Sequence, residues 1–351
     1  MVNKYVFISI IFVLWILGFY LATGFAGEDF VNALTQINPL ALLGGIGTYI
    51  LAISIGMFVL FWSLKKGGIK KTPGLGVAKA WLFGSFIDNV FPTITPIGEA
   101  SMAYFLERFY KLSYNKSLAA IAIYVSAWGL SVCIFATSAL ILAQIFIGLD
   151  PVMLVLAALM VTVFIVMTSA WIIVLLKRTW SQRLIRWGFR TLSSVRNHLK
   201  KNKTSYPQTV VDLEFGKAYD SLTPLIGDKK PLFGMSLLFI VNQLCHALCI
   251  MTLCWGFGAD ISLLDAVYVH VISSVLGLLM IIPSGLGVYE ITGSGLLATL
   301  GVPPSIGVSV IFIYRLIFVW GTNLMGGLIG ITQGIDPGQM KKVAEKRELT
   351  P

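Results

Sequence analysis

Long apolar runs dominate this sequence, and most of them exceed the roughly 18 residues that mark a membrane-spanning helix. Only 12% of the 351 residues are charged, against roughly 25% in a soluble domain, so a water-soluble enzyme is excluded. A disordered chain is excluded as well, because such chains are poor in apolar residues and this one has 57%. The sequence therefore predicts an all-α polytopic membrane protein, a single membrane domain over 1–351. Its apolar runs occupy residues 5–23, 39–64, 77–91, 117–146, 151–176, 232–255, 262–282 and 304–331.

Basic residues are confined to alternate connections, which predicts the orientation of the chain in the membrane. Residues 177–203 hold nine basic side chains and no acidic one, and four lysines follow the run at 39–64. The connections that carry Glu or Asp but neither Lys nor Arg are residues 24–38, 148–150 and 256–260. By the positive-inside rule, we expect a multi-pass plasma-membrane protein with both termini in the cytoplasm. The first run is expected to be a retained helix, and a cleaved signal peptide is the alternative.

The third apolar run is short for a membrane span and ends in helix-breaking residues. At 1.5 Å per residue, the run at 77–91 reaches only ~22 Å. Pro92, Pro96 and Gly98 follow it, and each proline removes a backbone donor and clashes with the preceding turn. A second helical stretch then extends to residue 112, with basic residues on both flanks. This pattern predicts a re-entrant hairpin that enters from the cytoplasm, breaks at membrane depth and returns.

A similar interruption follows the run at 262–282, where Pro283, Gly285 and Gly287 lie within five residues. Its flanking connections lack Lys and Arg, so we expect this hairpin to enter from outside. A glutamate closes each of the two breaks, and a long apolar helix follows each.

Helix, hairpin and helix thus recur at 39–146 and at 232–331 in opposite orientations. This is the pattern of an inverted-topology repeat, whose broken helices meet near the midplane and form a binding site. The expected fold then has about six full spans and two re-entrant hairpins. Two unrelated proline kinks, or a second hairpin that crosses the membrane fully, are the alternatives.

Ionisable side chains lie at or near the breaks: Asp88 and Glu99 at the first, Glu290 at the second, and Arg315 within the last run. An arginine at the bilayer centre costs at least ~2.5–3.5 kcal/mol on insertion scales. Arg315 is therefore expected to contact an anionic ligand, and a pair with Glu290 that only locks the helices is the alternative. The predicted substrate-binding residues are Arg315, Glu290, Glu99, Asp88, Asn89, Thr95, Ser284 and Tyr289.

Two histidines, His246 and His270, lie within apolar runs. We expect both to be hydrogen-bonded core residues, and a proton relay is the alternative. Cys245, His246 and Cys249 have a spacing that suits a metal site, but no fourth ligand is evident. No metal and no cofactor is predicted.

The only long polar stretch, residues 177–230, links the two halves on the cytoplasmic side. Arg183, Arg186 and Arg190 recur in it at helical spacing, which indicates an amphipathic helix lying on the leaflet. Such a cluster attracts anionic lipid head groups at ~1 kcal/mol per basic residue, and a plain topology anchor is the alternative. Residues 332–351 form a cytoplasmic tail. No Gly-rich phosphate loop occurs, so neither ATP hydrolysis by this chain nor a nucleic-acid partner is predicted.

The motifs at both breaks resemble those of a known family. Thr95-Pro96-Ile97-Gly98-Glu99, then Pro283-Ser284-Gly285-Leu286-Gly287 with Glu290, and finally Tyr314-Arg315-Leu316, are similar to the flippase-like membrane domain of lysylphosphatidylglycerol synthases and its stand-alone relatives. The resemblance covers roughly residues 5–332. It implies a lipid translocation domain, acting on aminoacylated phospholipids in some members and on polyprenyl-phosphate-linked substrates in others, here without the synthase domain. Ala100-Ser101-Met102 stands where members often have an arginine, which bears on the head-group preference.

Together these features predict that the protein translocates, or flips, a phosphate-bearing lipid through a polar cavity between the two hairpins. Its partners are then membrane lipids, no enzymatic activity is expected, and a homo-oligomer is left open. An ion-coupled secondary transporter of a small soluble anion uses the same kind of repeat and is the main alternative. An intramembrane enzyme would need a nucleophile with a base or a metal-binding acidic cluster, and a structural scaffold would not need charged, broken helices.

Overall fold

The computed structural model describes residues 35–69, 71–90, 97–148, 151–180, 183, 219–222, 229–279 and 282–333. Throughout these residues the chain is helical or irregular, without a β-strand. The helices are α1 (Pro39–Lys66), α2 (Gly74–Val90), α3 (Ile97–Tyr110), α4 (Tyr114–Phe146), α5 (Pro151–Leu176), α6 (Lys229–Gly256), α7 (Leu263–Leu279), α8 (Val288–Thr299), α9 (Pro304–Arg315) and α10 (Gly321–Thr332). A 3₁₀ turn, Pro283–Gly285, precedes α8, and a π turn, Leu316–Trp320, joins α9 to α10.

Five helical segments among the described residues are long and apolar enough to cross a membrane. They are α1, α4, α5, α6 and the continuous segment Pro304–Thr332 formed by α9, the π turn and α10. This confirms the all-α polytopic membrane class. The first predicted span, residues 5–23, lies outside the described residues.

The ends of α1 show how the sequence sets a helix boundary. The Asn38 side chain accepts a hydrogen bond of 2.9 Å from the Leu40 backbone N–H, and Pro39 occupies the first helical position, where its missing N–H is not needed. Lys65 and Lys66 lie in the last turn, where positive charge interacts favourably with the free carbonyl groups.

Two pairs of helices are shorter than a span. The helices α2 and α7 have 17 residues each, α3 has 14 and α8 has 12, so the longest reaches only ~26 Å against a hydrocarbon core of ~30 Å. Within each pair the two helices pack against each other, α2 on α3 and α7 on α8. The predicted break residues Pro92, Thr95 and Pro96 lie outside the described residues. The second break is described from Ile282 onward.

Helices from the two halves of the chain pack against each other. The helix α1 lies along α6, and α10 lies along α2. A Cβ atom added at Gly326 of α10 would lie 2.6 Å from the Cβ of Phe86 in α2, and one added at Gly330 would lie 3.1 Å from the Phe83 ring. Small residues therefore let α10 approach the backbone of α2 closely.

The long helix α5 is largely uncovered by the rest of the protein. Only 17% of its most apolar stretch is buried inside the protein. The exposed side chains of α5 include Val155, Leu159 and Val166. Such a face suits contact with lipid tails. Beyond α5, Arg178 forms an exposed pair with Asp220 at 3.4 Å. The rest of the predicted amphipathic helix, with Arg186 and Arg190, lies outside the described residues, and the side chain of Arg183 is exposed.

Candidate functional site

Arg315, at the last position of α9, is the charged side chain around which the site is built. It is only 5% exposed. Its Nε donates a hydrogen bond of 2.8 Å to Oε1 of Glu290, and its Nη2 donates one of 2.8 Å to the backbone carbonyl oxygen of Ser284. The predicted alternative, a pair with Glu290, is thus present. Of the acidic residues that the structure describes, only Glu290 is ion-paired with Arg315.

Glu290 is held at the start of α8 by the break that precedes it. Its second carboxylate oxygen, Oε2, accepts a hydrogen bond of 2.7 Å from the Gly287 N–H, which satisfies a free donor at the helix N-terminus. The Glu290 side chain keeps 27% exposure. Gly285 and Gly287 have φ values of +61° and +83°, a backbone region open to glycine at no steric cost.

The break also places a strained residue against Arg315. Ser284 has a φ of 54°, which is uncommon for a residue with a side chain. A Cβ added at Gly285 would lie 2.8 Å from the Cα of Gly277 in α7. The turn therefore folds tightly onto α7, and this geometry aims the Ser284 carbonyl group at the guanidinium.

The second break touches the end of α2 directly. The Ser284 hydroxyl donates a hydrogen bond of 2.8 Å to the Asn89 backbone carbonyl oxygen. The Asn89 side-chain amide in turn donates one of 2.9 Å to Oδ1 of Asn323 in α10. Asn89, Ser284, Glu290 and Arg315, all predicted site residues, thus form one hydrogen-bonded cluster that joins the two halves of the chain.

Asp88 and Glu99 lie on the side of the first break. The Asp88 carboxylate accepts a hydrogen bond from the backbone N–H of Gly98 in the first turn of α3, and it interacts electrostatically with Glu99. A Cβ added at Gly98 would overlap this carboxylate, so the contact requires glycine there. The structure therefore brings these two predicted residues together, next to the cluster residue Asn89 but without an ion pair to Arg315.

An aromatic layer packs against the cluster, and most of it was not predictable from the sequence. The guanidinium carbon of Arg315 lies 5.2 Å from the centre of the Tyr289 ring, within the range of a cation–π contact. Tyr289 stacks on Tyr314, with ring centres 5.4 Å apart. Tyr289 is one of the predicted site residues, whereas Tyr314 is not.

Both intramembrane histidines contact this layer. Nδ1 of His246 lies 2.7 Å from the Tyr314 hydroxyl oxygen, and Nδ1 of His270 lies 3.1 Å from that of Tyr289. Both histidines are therefore hydrogen-bonded, as predicted, with His270 buried and His246 partly buried. Among the described residues, no group of three or more His, Cys, Asp or Glu side chains could hold a metal ion.

The sequence matches a known protein family over most of its length. The sequence profile of the lysylphosphatidylglycerol synthase TM region matches residues 6–326. The chain belongs to this family. A UPF0104 membrane protein of Methanothermobacter thermautotrophicus is 24% identical over 304 residues, which are 84% of this chain and 86% of the relative. One from Pyrococcus horikoshii is 24% identical over 285 residues, 77% of this chain and 82% of the relative.

Family membership and the fold both indicate that the protein lies in a membrane. A profile that matches nearly the whole chain and five span-length helices make this family member a multi-pass membrane protein. The match covers both breaks and Arg315, so every residue of the hydrogen-bonded cluster lies in the region shared with the family.

Proposed function

We propose that this protein moves a phosphate-bearing lipid, either a phospholipid or a polyprenyl-phosphate-linked lipid, between the two leaflets. The lipid head group would pass through a polar cavity between two re-entrant hairpins, α2 with α3 and α7 with α8, which form an inverted repeat. The observation that carries this proposal is the buried Arg315, bonded to Glu290 and to the Ser284 carbonyl group where α2 meets the second break.

The chemistry of a guanidinium suits a phosphate. Its planar N–H groups bind two oxygens at once, and such charge-assisted contacts are about twice as strong as neutral hydrogen bonds. In the observed arrangement two N–H groups of Arg315 already bind oxygens, one on Glu290 and one on Ser284. A lipid phosphate can take the place of both acceptors, so Arg315 exchanges partners and is never left as an unpaired buried charge.

The contacts around Arg315 also supply a gate. The bond from the Ser284 hydroxyl to the Asn89 carbonyl oxygen joins the two halves at this point, and a typical hydrogen bond of this kind contributes about 1 kcal/mol net. Opening the cavity would then cost little more free energy than the loss of this hydrogen bond. Asp88 and Glu99 on one side and Glu290 on the other would line the path and close the cavity as access changes, while the lipid tails stay in the bilayer.

No bond of the substrate needs to change in this process. A head group crosses hydrocarbon slowly, and a polar groove lowers that barrier without catalysis, so we propose that the protein is not an enzyme. We place it in the plasma membrane with both termini in the cytoplasm. Arg183, Arg186 and Arg190 would attract anionic head groups to the cytoplasmic leaflet, and a homo-oligomer is compatible with the exposed face of α5.

Lipid movement in proteoliposomes tests the proposal. Purified protein is reconstituted with trace fluorescent phosphatidylglycerol, phosphatidylethanolamine or a polyprenyl-phosphate sugar, and the label exposed outside is quenched over time. We expect wild type to accelerate the movement of at least one of these lipids. Arg315→Ala and Glu290→Gln should abolish this acceleration. Arg178→Ala, which removes an exposed arginine from a surface ion pair, is the matched control and should behave like wild type.

The proposal predicts that lipid movement depends on the buried Arg315 and not on a surface arginine. Arg315→Lys keeps the charge but loses the planar fork, so it should fold and yet move lipid more slowly than wild type. Unchanged movement in a folded Arg315→Ala protein would refute the proposed role of the site. Uptake of soluble phosphate with no lipid movement would instead favour an ion-coupled transporter of a small anion.

A further inference from the structure

Two histidine rings lie stacked between neighbouring helices. His246 of α6 and His270 of α7 have ring centres 4.8 Å apart and planes only 6° from parallel. His270 is 4% exposed. The proposed passage of a head group past Arg315 makes no use of this pair.

His270 has oxygen partners on both ring nitrogens. Nε2 lies 3.3 Å from Oε1 of Gln243 in α6, and Nδ1 lies 3.1 Å from the Tyr289 hydroxyl and 3.4 Å from that of Ser274. In the neutral ring, Nε2–H donates to Gln243, and Nδ1 accepts from a hydroxyl. When the ring is protonated both nitrogens donate, and a hydroxyl oxygen accepts after its O–H rotates. His270 can therefore bind a proton without rearrangement of heavy atoms.

The stacking limits the pair to a single proton. Two imidazolium rings with centres 4.8 Å apart would repel strongly in a dry interior, because like charges interact more strongly there than in water. His246 has its own contact, from Nδ1 to the Tyr314 hydroxyl oxygen at 2.7 Å. We therefore assign the proton to His270, whose two nitrogens both face oxygen atoms.

Tyr289 links this histidine to the ion pair above it. The Tyr289 ring centre lies 5.2 Å from the guanidinium carbon of Arg315 and 6.4 Å from the His270 ring centre. A proton on His270 thus adds a second positive charge near Arg315. An anion bound at Arg315 would compensate that charge, so proton and anion should favour each other's binding.

Besides His270, α7 itself carries Tyr268 and, in its first turn, Asp265, and the helices packed on α7 carry few other ionisable groups near the pair. On α8 and α9 these are Tyr289, Glu290, Tyr314 and Arg315, and on α6 they are His246 with the thiols of Cys245, Cys249 and Cys254. The helix α4 contributes Tyr124 and Cys133, and α5 has no ionisable side chain. Glu290 is already paired with Arg315. Because Arg315 and Glu290 together carry no net charge, the anion that balances a protonated His270 comes from the substrate.

We propose that His270 binds the coupling proton of this transporter, and that one proton and one phosphate monoanion bind and cross together. This inference rests on the proposed lipid translocation. It makes the protein a proton-coupled carrier whose cycle with a monoanionic lipid moves no net charge. A pH difference across the membrane can then concentrate that lipid in the leaflet that faces the alkaline side.

The size of the effect follows from the stoichiometry. With one proton per lipid, a pH difference of one unit sustains a roughly tenfold ratio of lipid between the leaflets, because each pH unit is a tenfold ratio of protons. A channel-like scramblase without coupling leaves the ratio near one. The two mechanisms therefore differ at equilibrium and not only in rate.

The test uses the full chain in vesicles that hold a pH gradient. Trace tail-labelled fluorescent phosphatidylglycerol is the probe, the membrane voltage is clamped with equal potassium and valinomycin, and an internal pH dye verifies the gradient. We expect wild type to approach a tenfold ratio for one pH unit. His270→Gln, which keeps a polar side chain, should still move lipid but leave the ratio near one. His198→Gln replaces a histidine in the linker and should match wild type.

A second variant can test the proposal if His270→Gln fails to fold. Gln243→Leu leaves the imidazole in place but removes the oxygen at Nε2, so the lipid ratio should fall near pH 7 and recover at lower pH. Even distribution by a wild type that moves lipid would overturn the proton coupling and leave the translocation standing. So would a His270→Gln protein that still concentrates lipid. A wild type that moves no lipid would overturn both proposals.

Discussion

Removal of Glu290 should destabilise the protein far more than removal of a surface acid. Arg315 is 5% exposed in the wild type, and in Glu290→Ala it would keep only one of its two described hydrogen bonds, to the Ser284 carbonyl oxygen. Breaking a buried ion pair from one side costs about 3–5 kcal/mol. The Glu290 side chain keeps 27% exposure, so we expect the lower end, about 3 kcal/mol, which is roughly a 150-fold change in the folding equilibrium.

The chain offers its own control in Arg178 and Asp220, whose side chains are 52% and 66% exposed. Screening by solvent leaves such pairs about 0–1 kcal/mol, so Asp220→Ala should hardly change stability. The assay is denaturant-induced unfolding in detergent micelles, followed by tryptophan fluorescence. Adding Arg315→Met to Glu290→Ala removes the unpaired charge and should restore much of the lost stability. Equal losses for Glu290→Ala and Asp220→Ala would refute the view that Arg315 is a desolvated charge held by this contact.

Two further predictions concern glycines and can be measured by the same unfolding assay. Gly326→Ala should cost about 1–3 kcal/mol, the usual range for overpacking, because its Cβ would overlap the Leu82 carbonyl oxygen and lie 2.6 Å from the Phe86 Cβ. Gly327→Ala, with a nearest contact of 3.6 Å, should stay within about 0.5 kcal/mol. Equal effects would contradict the close packing of α10. Gly301→Ala should cost about 1–2 kcal/mol from its φ of +88° alone, since its Cβ would meet nothing within 4 Å, whereas Gly47→Ala, equally open but helical, should cause no loss.

The span-length helices were predictable because length alone decides them. A membrane-spanning helix needs about 20 consecutive apolar residues. The predicted run at 39–64 corresponds to the helix Pro39–Lys66, and the run at 304–331 corresponds to Pro304–Thr332. The pairing of Arg315 with Glu290 was predictable as one of two outcomes, because a charge in this setting needs a partner. Local chain chemistry was sufficient for both inferences.

Contacts between distant parts of the chain were not predictable in this way. The bond from Ser284 to Asn89 spans 195 positions, and no periodicity or composition encodes which helix end meets which turn. The stacking of His246 on His270 likewise depends on how α6 and α7 pack. Taken alone, each histidine is best interpreted as a hydrogen-bonded core residue. Only their parallel rings and shared tyrosine contacts identify them as a pair.

The π turn at Leu316–Trp320 sets the rotational phase between the two ends of the last span. In this turn the Gly321 N–H bonds back to the Leu316 carbonyl oxygen, so the turn holds one residue more than an α-helix needs. Deleting a single residue there would let a continuous α-helix run from Arg315 into α10, with little change in the face that α10 turns toward α2. The last span therefore contains two helical faces with separate registers, and a helical wheel drawn through it without this offset assigns the wrong residues to the interface with α2.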